Sequence, residues 1–191
     1  MESLLKRYLI KVPKSVSVFY CNEKKILLAR GVLGQKLLKL DVRIKILNPK
    51  KIIQVTNKSF TEMDNKNKKK MNMLRGTAVA LIKKMFLEIS TNICKKLKLT
   101  GVGFRIFLTK KGNIDLMRLK LGYSHDIYFK IPKNIKIREH KSTKIFISGN
   151  CYEEVAQTAA KIRKFKIPEP YKGKGISYDN EIIVLKEGKK I

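Results

Sequence analysis

The sequence predicts an α+β fold built from two similar domains, each an antiparallel sheet with a helix packed on it, plus a basic C-terminal extension. Three observations carry this. β-branched runs bounded by Gly, Asn or Pro recur through most of the 191 residues. Helical stripes stand out in two segments. And one order of elements, strands closed by a single helix, occurs twice, as expected when a helix covers an antiparallel sheet.

Taken in order, Val16, Val18 and Tyr20 alternate with Ser15, Ser17 and Phe19, the period of a half-buried strand. A glycine corner follows at Gly31 and Gly34. Val42, Ile44 and Ile46 then alternate with Arg43, Lys45 and Leu47, and a further strand is expected at 51–55. Residues 57–75 read as an insert. Within it the run Lys66-Asn67-Lys68-Lys69-Lys70, beside Asn65 and Asn72, has almost nothing apolar to anchor it, so a loop mobile in the free protein is expected over residues 64–72. From Thr77 to about Cys94, Ala78, Leu81, Ile82, Met85, Phe86, Ile89 and Ile93 form one helical stripe, with Lys83, Lys84 and Glu88 turned away.

The second series repeats the first. Ile106–Leu108 and Ile114–Leu121 are strands, with a hairpin turn at Lys111-Gly112-Asn113 and a glycine corner at Gly122. Strands at 135–139 and 144–148 precede a helix from Cys151 to Phe165. Asn150 is its expected N-cap and Glu153 sits three residues on, with Tyr152, Val155, Ala159 and Ile162 facing inward. Ile167-Pro168 ends it. The expected domains are therefore 1–94 with its insert, 95–170, and an extension over 171–191.

Charge bounds the function. The chain carries 44 Lys+Arg against 15 Asp+Glu, a formal charge of +29, so a polyanion is the expected partner. The lysines are interleaved with Ile, Leu and Val, which argues for a folded binder rather than a disordered tail. No uncharged apolar stretch approaches the roughly 18 residues of a membrane helix, so no membrane partner is expected. The N-terminus has no signal-peptide pattern, which reads as a protein made where it works or already processed. Cys21, Cys94 and Cys151 are odd in number and lack a C-x-x-C pair, pointing to a reducing compartment and to small buried hydrophobes. His125 and His140 form no ligand pair, and His125 reads as a structural histidine at a strand bend.

Enzyme signatures are missing. Gly101-Val102-Gly103-Phe104 lacks the third glycine of a dinucleotide loop, and Gly173-Lys174-Gly175 has no Walker spacing. Glu153-Glu154 fit a helix first turn. Glu62/Asp64 and Asp179/Glu181 read as solvated charge. Ser124-His125-Asp126 are consecutive and cannot converge as a triad. No catalysis, cofactor, metal or small-molecule substrate is expected.

The informative segment runs from Arg163 to Tyr178, RKFKIPEPYKGKGISY. Its two prolines stiffen the chain into an arm leaving the helix. Gly173 and Gly175 alternate with Lys172 and Lys174, so backbone amides could approach a phosphate while the lysines neutralise its neighbours. Tyr171 and Tyr178 offer rings to sugars or bases. The competing reading is a flexible basic tail.

The string Pro168-Glu169-Pro170-Tyr171-Lys172-Gly173-Lys174-Gly175-Ile176 closely resembles the signature of large-subunit ribosomal protein six in its bacterial and organellar form. Gly76-Thr77-Ala78, Leu99-Thr100-Gly101-Val102-Gly103-Phe104-Arg105, Leu121-Gly122-Tyr123-Ser124-His125 and Val155–Arg163 resemble further blocks of that family, in order, from about residue 76 to 190. The resemblance implies two duplicated α+β domains and a structural place on the large ribosomal subunit, near the factor-binding region and stalk base. The implied partners are large-subunit rRNA and neighbouring ribosomal proteins. Carried over by position, Tyr171, Lys172, Gly173, Lys174 and Gly175 are the foremost RNA-binding candidates, with Arg163, Lys164 and Lys166 behind them. Ser177 departs from the family's usual Arg, and Val184-Leu185 from more polar residues. Arg105 has a phosphate-binding reading, although Gly101–Arg105 reads foremost as a packed strand. The alternatives are a free nucleic-acid-compacting protein and an RNA-modifying enzyme. Heavy Lys, Ile and Asn usage suggests an AT-rich genome, so a mitochondrial-matrix ribosome is the expected location, with bacterial cytoplasm or plastid as alternatives.

Overall fold

The computed structural model describes residues 8–47, 51–59, 68–112 and 114–188. The chain divides into two compact units, Met1–Asn92 and Ile93–Ile191.

The first unit runs β1 (Leu9–Lys11), β2 (Ser17–Cys21), β3 (Ile26–Gly31), β4 (Gly34–Lys39), β5 (Val42–Leu47), β6 (Ile52–Ser59) and α1 (Lys68–Ser90). Its strands form two antiparallel three-stranded sheets, ordered β1-β6-β5 and β2-β3-β4. Alternation along the strands sends Leu27 and Ala29 of β3, Val42 of β5 and Ile53 and Val55 of β6 into one core. There they meet Ile82, Met85, Phe86 and Ile89 of α1. Burying one such side chain contributes roughly 1.5–3 kcal/mol. Gly31 lies against Ile89, and the Leu33 amide donates to the Ile89 carbonyl at 3.1 Å, so the absence of a side chain at Gly31 seats the end of the helix on the sheet corner.

The second unit runs β7 (Ile93–Thr100), β8 (Arg105–Lys111), β9 (Ile114–Lys120), β10 (Ile127–Lys130), β11 (Ile135–Lys141), β12 (Lys144–Gly149), α2 (Tyr152–Lys164) and β13 (Gly175–Tyr178). Its sheets are ordered β10-β9-β8 and β11-β12-β7-β13. The correspondence with the first unit is strand by strand: β7-β12-β11 repeats β1-β6-β5, and β8-β9-β10 repeats β2-β3-β4. The fold is the duplicated α+β arrangement. Among the described residues β13 has no counterpart in the first unit. It pairs antiparallel with the edge of β7, Gly175 opposite Thr100 through Tyr178 opposite Leu97.

Several expectations are corrected. α1 begins at Lys68, so Lys68–Lys70 are helical rather than part of a loop; Lys66 and Asn67 lie outside the described residues. Lysine is a good helix former. Beyond the run, Leu74 packs on the core, while the Arg75 guanidinium sits 3.5 Å over the Tyr8 ring and donates to the Val55 carbonyl at 3.3 Å. Those contacts carry the helix through Gly76. Glu88 is buried at 5% exposure, taken inward by its 2.5 Å pair with Lys36, whereas Leu81 is exposed. Ile93 opens β7 instead of closing the helix. In α2 the N-cap is Cys151, not Asn150; Thr158 replaces Tyr152 on the buried face. Gly101-Val102-Gly103 form a turn after β7 rather than a strand, with Gly101 at φ +155° and Gly103 at φ +77°. Cys21 and Cys94 are exposed because they fall on the outward phase of β2 and β7. β1, β3, β4, β10 and β13 emerge where no strand was expected.

Candidate nucleic-acid interface

The arm after α2 is built into the second unit. At its base Ile176 is fully buried, Gly175 and Ser177 are buried, and the Ile176 amide donates to the Lys166 carbonyl at 2.8 Å. Between these anchors the chain closes into a tight loop. The Gly173 amide donates to the Glu169 carbonyl at 2.9 Å, and the Glu169 amide donates to the Lys174 carbonyl at 3.0 Å. The Thr100 hydroxyl lies 2.6 Å from the Gly173 carbonyl and 3.2 Å from that of Gly175.

The glycines serve this closure. Gly173 adopts φ +66°, the left-handed region that suits glycine. At Gly175, φ +152°, a Cβ would come within 2.6 Å of the Pro168 Cα and 2.7 Å of its nitrogen. The close approach it permits is to the chain's own backbone. The reading of a free-standing arm is corrected accordingly, and so is the separation of 171–191 from the fold.

Two side chains expected to face RNA are drawn inward. Arg163 forks onto Glu181, with its Nη2 2.6 Å from Oε1 and Nε 3.3 Å from Oε2. The Tyr178 amide donates to the same carboxylate at 3.1 Å. Chiefly through the Arg163 hydrogen bond, the Glu181 carboxyl is held below its ordinary pKa. Tyr178 is half-buried against the core with Arg163 above its ring. Lys166 keeps its ammonium 4.2 Å over the Tyr123 ring, while the Tyr123 hydroxyl donates to the Phe165 carbonyl at 3.0 Å. His125, exposed, stacks with Tyr123 at 6.1 Å between ring centroids.

What the loop presents outward is Tyr171, Lys172 and Lys174, all exposed, with Lys164 exposed at the end of α2. Arg105 is exposed too, but on β8, directly opposite Lys120. Thr100 and Glu181, which tie the loop down, were not among the expected functional residues. Glu181 read as solvated charge, and nothing in a spacing of 18 residues signals its pairing with Arg163. Among the described residues, no group of three or more His, Cys, Asp and Glu is gathered to hold a metal ion.

The family described as Ribosomal protein L6 matches residues 101–179, which span the turn after β7 through the end of β13. The large ribosomal subunit protein uL6 of Mycoplasmoides gallisepticum is 41% identical over 180 residues, covering 94% of this chain and 92% of that protein. That of Chloroherpeton thalassium is 38% identical over 181 residues, covering 94% and 93%. That of Rhodospirillum centenum is 35% identical over 190 residues, covering 98% and 99%. Similarity of this extent runs through both units and the closing strand alike, and the chain belongs to the ribosomal protein L6 family.

Proposed function

We propose that this chain is a structural constituent of the large ribosomal subunit, binding large-subunit rRNA near the factor-binding region and stalk base and touching neighbouring ribosomal proteins. The observation that carries the reading is the closed loop of residues 168–175, which holds Lys172 and Lys174 outward on a backbone tied to β7 and α2. Phosphate contacts of this kind fix position and orientation, and RNA shape selects the site. No step of chemistry is assigned. Within the loop Lys172, Lys174 and Tyr171 meet RNA, with Lys164 beside them. Arg163, Gly173, Gly175 and Tyr178 hold the loop in place, and Lys166 is shared with Tyr123. The relatives above are bacterial, which favours a bacterial-type ribosome and lends the mitochondrial expectation no support.

Co-sedimentation with large subunits through a high-salt wash tests the reading. The wild-type chain is expected to remain bound, whereas a free nucleic-acid-compacting protein would wash off. For isolated rRNA, the double variant Lys172→Gln/Lys174→Gln should flatten the dependence of log affinity on log salt by about 0.7–0.9 per lost contact. An unchanged slope would remove the loop from the interface.

A further inference from the structure

The two units share a topology, so the same surface position can be compared in both. The small sheet of each has a central cross-strand row on its outward face, flanked beneath by fully buried residues. In the first unit that row is Phe19–Leu28–Leu37, lying between the buried Leu27 and Ala29. In the second it is Phe107–Arg118–Tyr128, between the buried Met117 and Leu119. The first row is wholly apolar. The second joins two aromatic rings to a guanidinium.

The rows on either side carry cations in both units, Arg30 and Lys39 in the first and three in the second. Arg105 stands opposite Lys120, and Lys130 faces outward on β10 opposite Leu116. Arg118 lies flat, its guanidinium carbon 4.5 Å over the Phe107 ring and its Nη1 3.7 Å from Asp126, the carboxylate that partly balances these cations. Tyr128 is 62% exposed. With rows about 6.7 Å apart and strands about 4.8 Å apart, this face measures roughly 10 by 13 Å. Sheets of similar kind stack two or three unpaired bases on their aromatic residues.

We propose that the outward face of β8–β9–β10 is a second RNA-contacting surface, on which an unpaired nucleotide stacks against Tyr128 while Arg105, Lys120 and Lys130 neutralise the phosphates around it. This rests on the rRNA-binding reading above and adds a mode to it. The loop offers charge and shape, whereas the sheet offers an aromatic platform set in positive charge. An exposed aromatic row by itself would suit a protein partner equally well. The surrounding cations favour a polyanion; Arg30 and Lys39 flank the first unit's row as well, so what sets the second row apart is Arg118 between two rings, where the first has Leu28. Arg105 thereby gains a surface to belong to.

The test uses the full chain and a fluorescent 12-nucleotide oligouridylate, read by anisotropy across a salt series. Tyr128→Ser should weaken binding by about fivefold or more, the lower end of what one stacked base contributes, with the salt slope unchanged because no charge is lost. Tyr128→Phe should bind as wild type. Arg105→Gln/Lys120→Gln should instead lower the slope, by up to about 1.4 for two single-strand contacts. Leu37→Ser, on the first unit's row, should change neither. If Tyr128→Ser keeps the wild-type thermal midpoint and affinity, the proposal is wrong. It is equally wrong if that variant loses only binding to polyglutamate, the result expected of a face for an acidic protein. Wild-type chain that is retained by large subunits yet ignores oligouridylate also overturns it. Failure of the wild type to be retained by large subunits counts against the proposed function instead.

Discussion

Replacing Gly175 by alanine adds one methyl group and alters no charge. That methyl has nowhere to go: its carbon would lie 2.6 Å from the Pro168 Cα, 2.7 Å from the Pro168 nitrogen and 2.8 Å from the Ile167 carbonyl carbon. All three are backbone atoms, so no side chain can swing aside. The φ of +152° adds strain for any residue with a Cβ. Strained backbone costs about 1–3 kcal/mol and overpacking about 1–3 kcal/mol, so Gly175→Ala should destabilise the second unit by about 2–6 kcal/mol. At about 4–8 °C per kcal/mol for a unit of this size, its thermal midpoint should fall by at least about 8 °C. Gly173→Ala is the comparison. There the added carbon meets only Leu185 Cδ2 at 3.4 Å, leaving the left-handed φ as the main cost, so a smaller drop is expected. Differential scanning calorimetry together with amide exchange at Ile176 and Ser177 reads both. A Gly175→Ala protein melting within about 1 °C of wild type would refute the packing role of this glycine and restore the idea that its bare backbone serves a ligand.

Two other contacts make separate predictions. Glu181→Gln should speed amide exchange at Tyr178, whose N–H donates to the Glu181 carboxylate. Because the folded carboxyl titrates below its ordinary value of 4.5, the stabilisation is complete above that pH and is lost as pH falls through the lower folded value. Wild type and variant should therefore differ at neutral pH and converge in strong acid; a constant difference at every pH would show that the charge is irrelevant. In the first unit, Lys36→Met removes the partner of a carboxylate only 5% exposed, with Lys36 itself 34% exposed. Half-solvated, the pair should be worth less than a fully buried one, and a loss of about 1–3 kcal/mol in urea unfolding is expected. No change in the urea midpoint would mean Glu88 is held by its other surroundings.

The strands legible in the sequence are the β-branched ones, such as β5 with Val42, Ile44 and Ile46 or β12 with Ile145 and Ile147. β3 and β4, ILLARG and GQKLLK, are written in residues that favour helices; only pairing with neighbours on a half-buried sheet makes them strands. The duplicated order of elements was visible because each helix closes its own series. Glu88 was misplaced because its partner Lys36 lies 52 residues away, beyond any periodic signal. The lysines at 172 and 174 could be picked out as candidates from charge and spacing. For the glycines beside them the packing reason could not be read there, since φ and the contact with Pro168 are facts of the tertiary fold rather than of the local string.

That packing changes what the loop's stiffness is for. A tether with the same lysines would have to fix its backbone on meeting RNA, at about 1–2 kcal/mol per residue, or roughly five- to thirtyfold in affinity for each residue ordered. The hydrogen bonds from Thr100, Glu169 and Gly173, and the Arg163–Glu181 pair behind them, fix it during folding instead. Affinity and salt slope should then come apart. Lys172→Gln/Lys174→Gln removes phosphate contacts and must change the slope. Gly175→Ala keeps every charge, so at a temperature where the second unit remains folded it should leave the slope near wild type while lowering rRNA affinity by at least about fivefold. Exchange data on the same variant reveal whether the loop has in fact loosened. A loosened loop that still binds with wild-type affinity would mean that the lysines act as a tether, and that β13 closes the sheet for stability alone.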